Sequence, residues 1–249
     1  MKKLIVFIII IVSISVKAQV PGYFGKRLSF GYSNYFSPSN FSIASHTTKE
    51  HAWGLNTSHS FNSEYTIMPR TNLCIGVQFS KLGIEDHYEY GKYYSLVYQP
   101  DSHKPMQLRT TNFSLGFKIF RSVYVAPVGK YQKIEFIFLL DEVKYNQGDF
   151  YDNISFTKNR VENIGEGKYN YRSSVFAYTI GRQRILFNSI IIDSGVRFGM
   201  SPNVMFDNIE NLFSSGSPSF ENQIKRNVNQ RIFGAQMCNI HLGIGFIAF

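Results

Sequence analysis

From Cys238 onwards the even-numbered positions Ile240, Leu242, Ile244, Phe246 and Ala248 are apolar, and the odd ones, Asn239, His241, Gly243 and Gly245, are polar or small. A period of two gives a β-strand one greasy and one polar face. About ten such residues cross a bilayer at a tilt, so this stretch is the unit of a transmembrane β-barrel. The rest of the chain repeats it.

The first strand covers residues 26–36, with Leu28, Phe30 and Tyr32 set against Arg27, Ser29, Gly31 and Ser33. In the second, 53–67, Leu55, Phe61 and Tyr65 oppose Asn56, Ser58, Ser60 and Glu64. Leu73, Ile75, Val77 and Phe79 then alternate with Cys74, Gly76, Gln78 and Ser80, and Phe113, Leu115, Phe117 and Ile119 with Asn112, Ser114, Gly116 and Lys118. The fifth strand sets Ile134, Phe136, Phe138 and Leu140 against Lys133, Glu135 and Asp141, and the sixth sets Phe176, Tyr178 and Ile180 against Val175, Ala177, Thr179 and Gly181. Ile190, Ile192, Val196 and Phe198 oppose Asp193, Gly195, Arg197 and Gly199 in the seventh. With the final strand, which follows a loop ending near residue 230, this predicts about eight strands.

The connections alternate in length. Residues 37–52, 86–105, 147–168 and 201–230 form long polar loops, whereas 68–71, 121–130 and the turn at Phe187-Asn188 are shorter, the middle one punctuated by Pro127 and Gly129. An up-and-down barrel of even strand number keeps both termini and its short turns in the periplasm and its long loops outside. The predicted fold is therefore all-β: a single up-and-down antiparallel transmembrane β-barrel over residues 19–249, with both termini periplasmic. A soluble sandwich shows the same alternation, but in lipid the last strand has to close on the first because an open sheet edge finds no hydrogen-bond partner there. Aromatic residues at strand ends suit the two interface girdles. Tyr65, Phe120, Tyr124, Tyr131 and Phe249 are assigned to the periplasmic rim, and Tyr35, Trp53, Tyr145 and Tyr171 to the outer one.

Composition alters this picture mainly at the N-terminus. Lys2 and Lys3 precede an unbroken apolar run, Leu4 to Val12, and Val16-Lys17-Ala18 offers a small-residue cleavage site, so residues 1–18 read as a cleaved signal peptide. No later apolar run is long enough for a transmembrane helix, and the mean hydropathy of −0.14 suits a barrel in which every second residue faces inward. Removing Lys2, Lys3 and Lys17 lowers the net charge from +9 to +6. No basic run or recognition motif accompanies that balance, so nucleic acid is not an expected partner; anionic lipopolysaccharide is. Cys74 falls on the lumen face and Cys238 on the lipid face, so no disulfide is expected.

Counting up from the periplasmic rim places Arg27, Glu64, Lys118, Glu135 and Asp193 inward at similar depth, with Arg197 one residue pair higher. Buried charges persist when paired and hydrogen-bonded, so these six read as a structural network with Lys118 and Glu135 pairing across their hairpin. Intramembrane ionisable groups also mark ion or proton paths. Eight strands enclose a lumen that side chains fill, which predicts no open channel. Catalytic chemistry is weak: His59 and Ser60 are strand neighbours on opposite faces, and Asp101-Ser102-His103 sits in a loop without a supporting framework. The histidines at 46, 51, 59, 87, 103 and 241 lack metal-ligand spacing, His46 and His51 with Glu50 being the nearest approach to a cluster. The glycines of 165–167 and 243–245 lack the strand-to-helix context of a phosphate loop. No cofactor is expected.

With the signal segment, the alternating strands, the short turns, the connector AlaProValGlyLysTyr at 126–131 and the terminal Phe249, the chain resembles the small outer-membrane β-barrels of the Bacteroidota, including the PorT-like group and the wider OmpA-like eight-stranded barrels. The resemblance covers residues 19–249. It implies an outer-membrane protein of a Gram-negative bacterium, inserted by the barrel-assembly machinery through its last strand. Fold does not give function; the expected role is structural or interactive, as an accessory subunit of an envelope or secretion complex contacting a protein partner through exterior loops or lipid face. The alternatives are a narrow transport barrel for ions or small hydrophobic molecules, and a lipid acyl hydrolase.

Overall fold

The structure, a computed structural model, describes residues 25–38, 55–84, 96–100, 106–121, 126–152, 159–202 and 220–248. The signal segment, Trp53, Tyr124 and Phe249 lie outside these. The elements in chain order are β1 (Leu28–Pro38), β2 (Leu55–Met68), β3 (Thr71–Ile84), β4 (Leu96–Pro100), β5 (Met106–Phe120), β6 (Gly129–Tyr145), β7 (Gly148–Asp152), β8 (Asn159–Ile164), β9 (Gly167–Leu186), β10 (Ile190–Met200), α1 (Phe220–Met237) and β11 (Cys238–Ile247).

Eight of the strands close into a barrel in the order β1-β11-β10-β9-β6-β5-β3-β2, every pair antiparallel. The closing seam runs from Ser29 opposite Ile247 to Phe36 opposite Ile240, so no barrel edge is left unpaired. The alternation sorts as expected: Ile134 and Ile244 are each 59% exposed on the outer wall, while their strand neighbours Lys133, Glu135 and the half-buried Gly243 and Gly245 face in. An apolar exterior around a polar interior inverts the arrangement of a soluble barrel and is what hydrocarbon demands. The chain is a transmembrane β-barrel.

Both described ends of the chain lie with the short turns. The Ala248 amide donates to the Leu28 carbonyl at 2.8 Å, the Ile247 amide to Ser189 at 2.9 Å and the Thr66 amide to Arg27 at 2.8 Å. In the turn between β9 and β10, Phe187 and Asn188 adopt φ values of 49° and 59°, the left-handed pair that a two-residue hairpin turn needs to match strand twist.

The long-loop end holds more structure than a set of loops. β4, β7 and β8, all inside segments expected to be irregular, form a three-stranded sheet in the order β4-β7-β8. The loop expected at 201–230 ends in α1, which continues through residue 237, so residues 231–237 belong to a helix and the last strand begins at Cys238. Val228, Ile232 and Ala235 recur at helical spacing and are buried against Leu82, Leu108, Ile137, Leu139, Val143 and Val175 of the lumen wall. α1 therefore sits in the barrel mouth.

Candidate functional site

The lumen divides into an upper part filled by α1 and a charged lower part. In the upper part an apolar cluster is interrupted by the buried carboxylate of Asp141, which accepts from Ser173 at 3.2 Å. In the lower part the Lys118 ammonium is ion-paired with Glu64 and, at 3.2 Å, with Asp193. Asn72 donates to the second oxygen of Glu64 at 3.0 Å. The Tyr131 hydroxyl donates to Asp193 at 2.7 Å and lies 3.0 Å from Nε2 of His241, which is itself 3.4 Å from Asp193. The Lys118 ammonium also stands 4.3 Å from the centroid of the Tyr131 ring. With its amide oxygen turned to Lys118, Gln183 accepts from the ammonium at 3.0 Å and donates to the Pro127 carbonyl at 3.1 Å.

Higher up, Lys133 and Glu135 pair with each other at 2.6 Å. Arg197 donates to Gln78 at 3.1 Å and to Gln236 of α1 at 2.7 Å, and its guanidinium lies 4.0 Å from the Tyr35 ring centroid. Lys118, Lys133 and Arg197 thus balance Glu64, Glu135 and Asp193. A neutral, hydrogen-bonded set is the form in which charges survive away from water.

Of the predicted network, Glu64, Lys118, Glu135, Asp193 and Arg197 face the lumen, but the pairing differs. The expected Lys118–Glu135 pair does not form, because the β5–β6 register sets Lys118 opposite Lys133 and Glu135 opposite Gly116. Repulsion between the two facing lysines is relieved by turning Lys118 across the lumen to Glu64 and Asp193, and Lys133 along its own strand to Glu135. Arg27 lies apart, half-buried at the short-turn end, with its guanidinium 3.4 Å from the Tyr65 hydroxyl.

The aromatic assignments need a second correction. Phe120 and Tyr131, placed by sequence in the periplasmic girdle, are 1% exposed inside the barrel, where their rings meet at 5.8 Å and 59° beside buried Ala126. Tyr35, assigned to the outer girdle, is a lumen residue beneath Arg197, and Tyr145 and Tyr171 pack on the inner apolar cluster. Parity carries the signal that was missed: Tyr131 shares the face of Lys133 and Glu135, and Phe120 that of Lys118. His241, Gln183 and Asn72 were missed as members of the network for want of any charge that marked them.

Beside Glu64 and Asp193 a cavity of about 20 Å³ is bounded by Ser29, Ser33, Asn62 and the backbone of Gly31. That is room for one water molecule, not for a substrate. His59 points outward and stacks on Tyr32 at 6.1 Å, whereas Ser60 is buried, so the two do not meet. Asp101, Ser102, His103, His46, His51, Glu50 and His87 lie outside the described residues. Among the described residues no group of three His, Cys, Asp or Glu is placed to hold a metal. Cys74 is buried and Cys238 half-buried, and both are free thiols.

No protein-family model matches the sequence, and no curated protein matches it. Among solved structures the chain is similar to Ail, the attachment invasion locus protein of Yersinia pestis, at 8% identity over 89% of this chain and 96% of that one, with a TM-score of 0.39. It is likewise similar to the N-terminal β-barrel domain of OprF from Pseudomonas aeruginosa, at 6% identity over 89% and 97% with a TM-score of 0.40. A major outer membrane protein from Thermus thermophilus matches at 11% identity over 88% and 98%, again with a TM-score of 0.40.

Proposed function

We propose that this chain is an integral outer-membrane protein whose barrel is a sealed scaffold, with a structural or interaction role as an accessory subunit of a larger envelope or secretion complex. The observation that supports this most directly is closure of the lumen at both ends. α1 fills the mouth against an apolar wall, and Phe120, Tyr131 and Ala126 fill the base, with the neutral ion network between them. A sealed barrel has only its loops and its lipid-facing wall to offer a partner. Its long connections also exceed what hairpin closure needs, which is where binding surfaces concentrate.

In this reading the short turns and both termini lie in the periplasm, and α1 with the β4-β7-β8 sheet lies toward the exterior. Outer-membrane lipid and lipopolysaccharide surround the wall, and the barrel-assembly machinery inserts it. Affinity capture from gently solubilised envelopes tests the proposal: recovery of a stoichiometric envelope protein is expected, and recovery of this chain alone would count heavily against it. The alternative of a narrow transport barrel draws on the apolar cluster of the upper lumen and requires α1 to leave the mouth; steady conductance in a planar bilayer would favour it. The lipid-hydrolase alternative is tested by a mass change in lipid A or phospholipid on expression.

A further inference from the structure

The outer wall carries its positive charge unevenly. The stretches that run to the short-turn end and back, residues 65–84, 102–134 and 167–192, contain no Asp or Glu. On three adjacent strands their basic residues fall into one row. Lys130 on β6 is opposite Arg182 on β9, and the Arg121 amide donates to the Lys130 carbonyl at 2.9 Å, continuing the register in which Phe120 is opposite Tyr131. By parity all three side chains share the outward face of Ile119, Ile134 and Ile180, and all three are exposed. Arg184, two residues beyond Arg182, is on the same face and exposed. No described carboxylate pairs with any of the four.

Like charges directly opposite each other destabilise a sheet, so a row of three is a cost unless an anion lies across it. The other rim of the same strands shows how this chain handles cations where it neutralises them itself. There Glu142 is opposite Arg109, and it ion-pairs with Lys144 and Lys168, each at 3.8 Å. The row Arg121–Lys130–Arg182 lies toward the short turns, one residue pair past Ile119 and Ile180, at the margin of the apolar wall, which beside it on β9 and β10 runs on to Leu186 and Ile190.

We propose that Arg121, Lys130 and Arg182, with Arg184, form a binding surface for anionic phospholipid headgroups in the leaflet that the short-turn end meets. The phosphate oxygens take the place of the missing carboxylates, and the guanidinium groups offer them paired donors. The charge complementarity sits opposite the long-loop end, so this lipid contact is separate from any lipopolysaccharide contact at the outer rim. The inference rests on the barrel spanning a bilayer.

The test is reconstitution of the full chain into vesicles of phosphatidylcholine alone or with phosphatidylglycerol, read by the heat-modifiable gel shift and by native mass spectrometry of retained lipid. The expected result is at least a tenfold preference for retained phosphatidylglycerol, given that each basic residue near a surface contributes roughly fivefold, with the preference falling as salt rises. The triple substitution Arg121→Gln, Lys130→Gln, Arg182→Gln abolishes it, while Lys144→Gln with Lys168→Gln leaves it intact. Lys130→Glu supplies the missing carboxylate: it raises the unfolding temperature in phosphatidylcholine and removes the gain from phosphatidylglycerol. Equal retention of both lipids by the native chain, a preference that survives in the triple variant, or an equal thermal shift from inorganic phosphate would overturn the proposal. Failure to insert into either vesicle would instead overturn the reading of the chain as a membrane barrel.

Discussion

Lys118 lies directly opposite Lys133 across the β5–β6 ladder, yet the two ammonium groups bond different carboxylates in different directions. Lys118 reaches across the lumen and joins β5 to β2 and β10, whereas Lys133 stays on its own strand with Glu135. The cross-lumen lysine ties three strands together near the base of the barrel. The other stabilises little beyond its own neighbourhood.

Lys118→Ala consequently leaves Glu64 and Asp193 facing a gap with no cation between them. Removing one partner of a buried ion group costs about 3–5 kcal/mol, so the temperature at which the folded, fast-migrating band is lost on a gel falls sharply. Combining Lys118→Met with Glu64→Gln and Asp193→Asn removes the stranded charges and recovers most of the loss. Unchanged stability in Lys118→Ala would mean that the network carries none of the fold.

Among the described residues Arg197 has no carboxylate in bonding contact and is held by the amides of Gln78 and Gln236 and by the face of Tyr35. Gln236 belongs to α1, so this hydrogen bond joins the helix to the wall. Gln236→Leu therefore weakens the seating of α1 by about 1.5–3 kcal/mol, the range for hydrogen bonds to charged groups. Limited proteolysis within α1 measures it: cleavage should accelerate in the variant while the barrel strands stay protected. Arg197→Lys should behave similarly, since an ammonium cannot reproduce the planar fork or the ring stacking.

Much of the architecture was legible because hydrocarbon imposes a strict rule on every second residue. Runs such as Phe113, Leu115, Phe117 and Ile119 leave no doubt about which face meets lipid. The lumen obeys no such rule. It admits charged, aromatic and aliphatic side chains alike, so Leu108, Ile137 and Val175 inside the barrel signal nothing until α1 is seen against them. α1 is Asn- and Gln-rich like a polar loop, yet Phe220, Ile224, Val228, Ile232 and Ala235 recur within it at helical spacing, so its apolar stripe was legible in the sequence and was obscured only by the polar residues around it. Tyr131 and Phe120 were misplaced because an aromatic at a strand end suggests a girdle, although strand parity assigns both to the interior. The Lys118–Glu135 pairing failed by one step of register, which the connector at 121–128 conceals.

Gly181, Gly195 and His241 occupy one row across β9, β10 and β11, and the two glycines make the space in which Tyr131 and His241 meet. A Cβ at Gly195 would come within 2.6 Å of Cε1 of His241 and 2.5 Å of the Ile180 carbonyl oxygen. Gly195→Ala accordingly pushes the imidazole away from the Tyr131 hydroxyl. The expected loss is roughly 1–3 kcal/mol, the cost of overpacking a filled interior, read as a lower unfolding midpoint in urea. His241→Ala in the same chain frees the space and should relieve part of that loss; purely additive effects would show that the imidazole is not what the new methyl meets.

Two separate plugs close the lumen, and their independence is open to experiment. Ile232→Asp places a carboxylate in the apolar cluster beneath α1, where nothing in that cluster pairs it, and drives the helix out of the mouth. Phe120→Ala removes a ring from the base at a cost of about 3–5 kcal/mol. Each change alone leaves the other plug and the ion network in place, so planar-bilayer recordings of either single variant should be as silent as those of the native chain. The pair together leaves Tyr131, Ala126 and the ion network around Lys118 across the path, and brief, small conductance events are expected. Steady conductance from Ile232→Asp alone would show that the base is already permeable and that α1 is the gate of a transport barrel; silence in the double variant would assign the barrier to Tyr131, Ala126 and that network.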